Sequence, residues 1–311
     1  MILDLPATTT SAINRSLVEL RASGGAVALG RVLTLVVLTP SEGAEDAITA
    51  ATDASREHPM RVLVVVSGDP RTDTGLDAQI RIGSDAGAGE IVVLRLAGEL
   101  ADQGASVVVP LLLPDAPIVA WWPGEAPDDL SQDPIGRLAQ RRISDAAGCS
   151  DPQGALRTSS RHHSDGDTDM AWTRITRWRA LLAAALDLPP AQPVTAAVVR
   201  GAADSPSTDL LAAWLHARLD CPVQREVAGT SGMHSVELVR DAGPIVLSRP
   251  DGAIATLRQP GEPDHRLGLA RRSVAECLSE ELRRLDPDIT YSQVVRSLVA
   301  HGPADGDGAP A

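Results

Sequence analysis

The residues best suited to chemistry lie in Trp172-Thr173-Arg174-Ile175-Thr176-Arg177-Trp178-Arg179. At helical spacing Trp172, Ile175 and Trp178 share one face. Arg174 and Arg177 flank that face on one side, and Arg179 lies at its other edge. One reading is a surface that grips carboxylate or phosphate through forked guanidinium groups. The other is a core helix whose Trp rings pack inward while the Arg stems run to solvent. Trp121-Trp122 is the second such feature. Neighbours on a strand point to opposite faces, so both rings are buried under a doubly covered sheet, or one is an exposed anchor of the kind found at interface hot spots.

Other constellations fail on residue type. Gly25 to Gly30 has the glycine spacing of a phosphate loop, but Arg31 replaces the required Lys and no Ser or Thr follows. Gly229-Thr230-Ser231-Gly232-Met233 ends in Met where a nucleophile elbow needs Gly. His162-His163 stands near Asp165, Asp167 and Asp169, yet adjacent residues converge on one ion only when a loop folds around it. Carboxylates are plentiful, and no spacing selects a catalytic pair. The expectation is therefore no catalytic residue, no cofactor and no metal site.

Alternating elements must position these residues. A capped helix follows Thr8-Thr9-Thr10-Ser11. Val32–Leu38 and Arg61–Val66 read as buried strands, and residues 42–57 as an exposed Ala-rich helix. Strands over 77–83 and 90–96 flank a turn at Gly87 and Gly89, with a helix near 98–113 despite Pro110. Ile118–Trp122 is a short strand, 130–138 a helix and 140–144 a further strand. Residues 147–169 are polar and read as a connection, with a short helix near 152–158. A helix from Trp172 to Leu186, a strand at Val194–Val199, a helix opened by Ser205-Pro206 and a strand at Pro222–Val227 follow. Runs at 234–240, 244–249 and 253–258 suggest a meander, and helices at 273–285 and 290–299 close the chain.

These elements give an α/β class. The first domain (1–146) is a mostly parallel sheet flanked by helices, followed by the connection 147–169. The second (170–300) is an α/β domain with an antiparallel meander, and residues 301–311 form a disordered tail. With 43% hydrophobic residues and no Phe, the core must be aliphatic. A net charge of −13 argues against nucleic acid and anionic membrane surfaces as partners. Three scattered cysteines, no basic-apolar leader and no long apolar run fit a reduced cytoplasmic protein.

Five fragments carry a family resemblance: Ala28–Leu35, His58–Val62, Trp121-Trp122-Pro123, Ala171–Thr176 and Leu211–Leu215. Together, in this order, the chain resembles the OpcA-type assembly proteins of glucose-6-phosphate dehydrogenase in their actinobacterial form, with Arg177 where that family is expected to carry Pro. The resemblance implies a two-domain α/β protein that binds the dehydrogenase, favours its assembled, active oligomer and supports NADPH production in the oxidative pentose phosphate pathway. It supplies no catalytic residue. Arg174, Arg177, Arg179 and Trp122 are the contact candidates. The alternatives are an enzyme acting on a sugar phosphate, and a small-molecule sensor holding a phosphate through Arg61 or the Arg174 cluster.

Overall fold

The computed structural model describes residues 1–23, 32–82, 89–188, 191–229 and 231–301. The glycine run 25–30, the turn at Gly87 and the tail 302–311 lie outside the described residues. Two compact units form. One comprises Met1–Asp145, Gly166–Thr168 and Val274–Pro287; the other comprises Ala146–Asp165, Asp169–Ser273 and the chain from Asp288.

The first unit is built on an eight-stranded sheet of β1 (Ile2–Leu5), β2 (Leu33–Pro40), β3 (Met60–Ser67), β4 (Gly75–Ile82), β5 (Glu90–Ala97), β6 (Ile118–Trp122), β7 (Arg141–Ser144) and β8 (Asp167–Asp169), in the order β1-β4-β5-β3-β2-β6-β7-β8. Pairing is parallel from β5 through β3, β2 and β6 to β7, and antiparallel at β1–β4 and β4–β5. The unbroken aliphatic runs of β2, β3 and β5 are buried on both faces, as interior parallel strands require. Val36 lies opposite Leu63 on one side and Ala120 on the other.

Helix α1 (Thr10–Ser23) buries Ile13 and Leu17. Helix α2 (Ala44–Ser55) buries Ala47, Ile48, Ala51 and Ala54, so the segment expected to be exposed is half core. Two expected helices shrink. Near 98–113 only α3 (Gly104–Val108) is α-helical, because Pro110 cannot continue it. Across 130–138 there is one 3-10 turn at Gly136–Leu138. There the Asp133 carboxylate accepts the N–H groups of Ile135 (2.8 Å) and Gly136 (3.0 Å) and competes with a helical ladder.

The second unit holds α4 (Pro152–Arg161), α5 (Met170–Arg174), α6 (Thr176–Leu186) and α7 (Pro206–Leu219). Its six-stranded sheet comprises β9 (Ala196–Gly201), β10 (Val223–Val227), β11 (Met233–Val239), β12 (Ile245–Ser248), β13 (Ile254–Arg258) and β14 (His265–Gly268), in the order β10-β9-β11-β12-β13-β14. Only β10–β9 is parallel; β11 to β14 form the antiparallel meander, one strand longer than the sequence suggested. The alternation along β9 leaves Ala197 and Val199 in the core, under Leu210, Leu211 and Leu215 of α7.

The segment 147–169, read as a connection, contains α4, capped by Asp151, whose side chain accepts the Gly154 N–H at 2.9 Å. The C-terminal stretch divides. Helix α8 (Val274–Leu282) belongs to the first unit, and α9 (Ile289–His301) to the second. The sequence carried no sign of this, because both helices present an apolar face to a core, Cys277, Leu278 and Leu282 in α8 and Tyr291, Val294 and Val295 in α9. Helix α8 buries Cys277, Leu278 and Leu282 and packs on α2. Ionic contacts fix its seat. Arg141 meets Glu281 at 2.6 Å with both side chains buried, and Arg283 meets Glu57 at 2.9 Å with both exposed.

These two pairs predict opposite sensitivities. Glu281→Ala strands a buried guanidinium and is expected to cost about 3–5 kcal/mol of unfolding free energy. Arg283→Ala removes a solvated pair and is expected to cost under about 1 kcal/mol. Urea denaturation of both variants checks this, and equal losses would contradict the assigned seat of α8.

Candidate functional site: an arginine-lined cleft

The cleft begins with a helix that the sequence reads as continuous. From Met170 to Leu186 the chain forms two helices, α5 and α6, meeting at Ile175. Asp169 starts α5: its fully buried carboxylate accepts the Ala171 N–H (2.8 Å) and the Ala146 N–H (2.9 Å). Trp172 is then pinned, its Nε1–H donating to Asp288 at 2.8 Å. The other Asp288 oxygen accepts the Tyr291 N–H at 2.9 Å and caps α9. The Arg179 guanidinium lies 3.4 Å from the centre of the Trp172 ring.

With Trp172 fixed, the turn at Ile175 sends Arg174, Ile175 and Trp178 to the wall of a cleft of about 360 Å³. Across from them stand the cap and first turn of α7 (Ser205, Pro206, Ser207), the Ser231–Met233 edge, and Arg249, Arg271 and Arg272. Four arginines thus border it, against the single carboxylate of Asp204. The volume and the mixed apolar and cationic walls are those of a small-molecule site.

Arg249 is 6% exposed. Its Nη1 and Nη2 donate to the backbone carbonyls of Leu269 (2.9 Å) and Met233 (3.3 Å), and its Nε–H has no acceptor. No carboxylate forms an ion pair with it among the described residues. Burial, with the Arg271 charge adding to it, pushes this guanidinium down to about 10, against a weaker opposing pull from Asp251. Arg271 is exposed; its Nη1 donates to Ser231 Oγ at 2.5 Å and its Nη2 to the Ser231 carbonyl. It passes over two glycines at positive φ, Gly232 (+69°) and Gly252 (+74°). A Cβ on Gly252 would stand 3.2 Å from the Arg271 Nε, so glycine keeps that path open. Arg272 Nη1 donates to the Thr173 carbonyl at 3.0 Å.

The predicted contact residues separate. Arg174 joins the cleft, Arg177 is exposed, and Arg179 is committed to Trp172 and to Thr176 Oγ1 at 3.2 Å. They do not make one patch. Trp122 is 3% exposed, packed with Leu130 and Ile135, so it offers no anchor; both faces of β6 are covered and Trp121 is fully buried. Arg61, the alternative phosphate holder, is 3% exposed and donates to Glu90 at 2.5 Å. His162 and His163 turn to different partners, the Thr158 carbonyl (3.0 Å) and Ser292 Oγ (2.8 Å). Sequence reading missed Arg249, Arg271 and Arg272. Arg249 adjoins the Pro250-Asp251-Gly252 turn, and Arg271 and Arg272 carry no local signal beyond being an adjacent pair.

The geometry defines a class: a two-unit α/β protein whose second unit carries a cationic cleft. Two family models place it further, the glucose-6-phosphate dehydrogenase subunit N-terminal domain over residues 51–161 and the C-terminal domain of the same subunit over 165–295. The chain belongs to this OpcA-type glucose-6-phosphate dehydrogenase assembly family. No curated protein matches it. Solved structures align with it, two of them over most of both chains. The glucose-6-phosphate 1-dehydrogenase of Mycobacterium avium does so at 12% identity over 87% of this chain and 91% of that chain, TM-score 0.41. An NAD-binding oxidoreductase of Klebsiella pneumoniae does so at 10% identity over 86% and 94%, TM-score 0.42. Likenesses this slight carry no argument. No helix among the described residues is long and apolar enough to cross a membrane.

Two predictions concern the frame of the cleft. Asp288→Ala removes both the Trp172 acceptor and the α9 cap, and is expected to cost about 2 kcal/mol. An unchanged urea midpoint would contradict the brace. Asp209, in the first turn of α7, has its carboxyl raised above 3.8 by burial, with Arg225 opposing. The folded state therefore holds this proton more tightly than the unfolded state. The resulting stability is full below pH 3.8 and is lost as pH rises through the folded pKa. Measured against Asp209→Asn at stepped pH, the wild-type chain should lose relative stability across that window; a constant difference would contradict the raised pKa.

Proposed function

We propose that the chain is a non-catalytic cytoplasmic partner of glucose-6-phosphate dehydrogenase that promotes its assembly, its activity or both. In that role it supports NADPH production in the oxidative pentose phosphate pathway. The observation that carries this reading is the ordered match of both dehydrogenase-subunit domain models. A partner shifts an oligomer or an activity only by binding one state more tightly than another. The role therefore asks for a stable surface and no reacting group.

Arg177 is the best placed of the expected contacts, being exposed on α6, with Arg174 at the cleft edge beside it. Arg179 is spent on Trp172 and Trp122 is core. Forked donors of this kind suit carboxylates on a partner.

Co-purification with the dehydrogenase, followed by its activity and oligomeric state with and without the chain, tests the reading. Complex formation with a larger active fraction is expected, and Arg177→Glu should weaken binding about tenfold. Unchanged binding of Arg177→Glu removes that residue from the contact. A dehydrogenase that neither binds the chain nor changes beside it overturns the proposal, and turnover of a sugar phosphate by the chain alone favours an enzyme instead.

A further inference from the structure

We propose that the cleft walled by Arg174, Arg249, Arg271 and Arg272 binds a phosphomonoester of a small organic molecule, its phosphoryl group held by Arg249 and Arg271 at the start of α7 and its body against Ile175, Trp178 and Met233. The site does not depend on the dehydrogenase and is tested on the chain alone.

Arg249 is the reason. Arg61 and Arg141, buried to the same degree in the first unit, each meet a buried carboxylate, Glu90 at 2.5 Å and Glu281 at 2.6 Å. Arg249 is as buried, lacks such a carboxylate among the described residues, has backbone carbonyls and the Trp178 ring (5.2 Å from its centre) about it, and faces a second cation in Arg271. A guanidinium in that position is costly to fold around unless an anion completes it. The electrostatics agree with this: burial and Arg271 both disfavour its charge, and a bound anion would restore it.

Independent features place the anion in the same space. Helix α7 has 14 residues and its first turn borders the cleft, where it contributes the positive end of its dipole, although Pro206 has no N–H and Ser205 accepts that of Thr208. Ser205 and Ser207 border the cleft there. Gly232 and Gly252 leave room for the Arg271 side chain to lie along the rim. Guanidinium forks pair with phosphate oxygens two at a time. The apolar wall and the volume of about 360 Å³ exceed what a bare phosphate fills, which selects an organic ester. Asp204, the bordering carboxylate, lies beside the Ser205 cap, where it would repel an anion and suits a hydroxyl of the organic body.

Titration calorimetry of the full chain in chloride buffer at fixed ionic strength tests this. The probes are ribose 5-phosphate, inorganic phosphate, ribose and an oligoglutamate peptide. One-to-one saturable binding of ribose 5-phosphate is expected, at least tenfold tighter than inorganic phosphate, with no heat from ribose. Arg271→Gln, an exposed change, and Arg249→Gln should each weaken it tenfold or more. Arg71→Gln, on the surface of the first unit, should leave it unchanged. Saturating ribose 5-phosphate should also raise the thermal midpoint of the wild-type chain by several degrees and leave that of Arg271→Gln unmoved. Absence of saturable binding by ribose 5-phosphate overturns the proposal. So does binding that survives Arg271→Gln undiminished. Binding of the oligoglutamate peptide without ribose 5-phosphate would overturn it in favour of an acidic protein segment.

Discussion

The second unit depends on where Trp172 is held. Its N–H reaches Asp288, the residue that also starts α9, while Asp169 fixes the start of its own helix. With the ring held by Asp288 and the helix start by Asp169, α5 ends at Arg174 and α6 begins at Thr176, with Ile175 between them. That turn separates the arginines: Arg174 faces the cleft, Arg177 faces solvent and Arg179 folds back over the ring.

Charge is distributed with the same economy. The chain has 28 Lys and Arg residues, and every one is Arg. Where guanidinium groups enter the first unit they meet carboxylates, as with Arg61 and Glu90, Arg141 and Glu281, and Arg142 and Asp167. These pairs fasten elements far apart in sequence: Arg141 on β7 holds α8 through Glu281 and the chain just after it through the Asp286 carbonyl. Arg249 breaks the pattern by lying among backbone carbonyls at the cleft. A protein with a net charge of −13 thus concentrates four cations around one small volume.

Family membership and the cleft describe different things. The matched domains relate the chain to a dehydrogenase and so to a protein surface. The cleft relates it to something small and anionic. An assembly partner that also senses a phosphorylated metabolite would couple the two, since a ligand that favours one conformation of the partner changes what that partner stabilises.

The sequence by itself determined the elements whose signals are local. Aliphatic runs became β2, β3 and β5 because a strand buried on both faces needs no polar alternation. Ser205-Pro206 opened α7 because a cap and a first-turn proline act within four residues. The meander followed from its turns. The same reasoning overextended the helices near 98–113 and 130–138, where Pro110 and the Asp133 side chain rewrite the backbone. Only the tertiary structure decided that Trp122 is core, that α8 joins the first unit, and that Arg174 lines one cleft with Arg249, Arg271 and Arg272. Those outcomes rest on contacts between residues tens to hundreds of positions apart, which no local pattern of size, charge or period encodes.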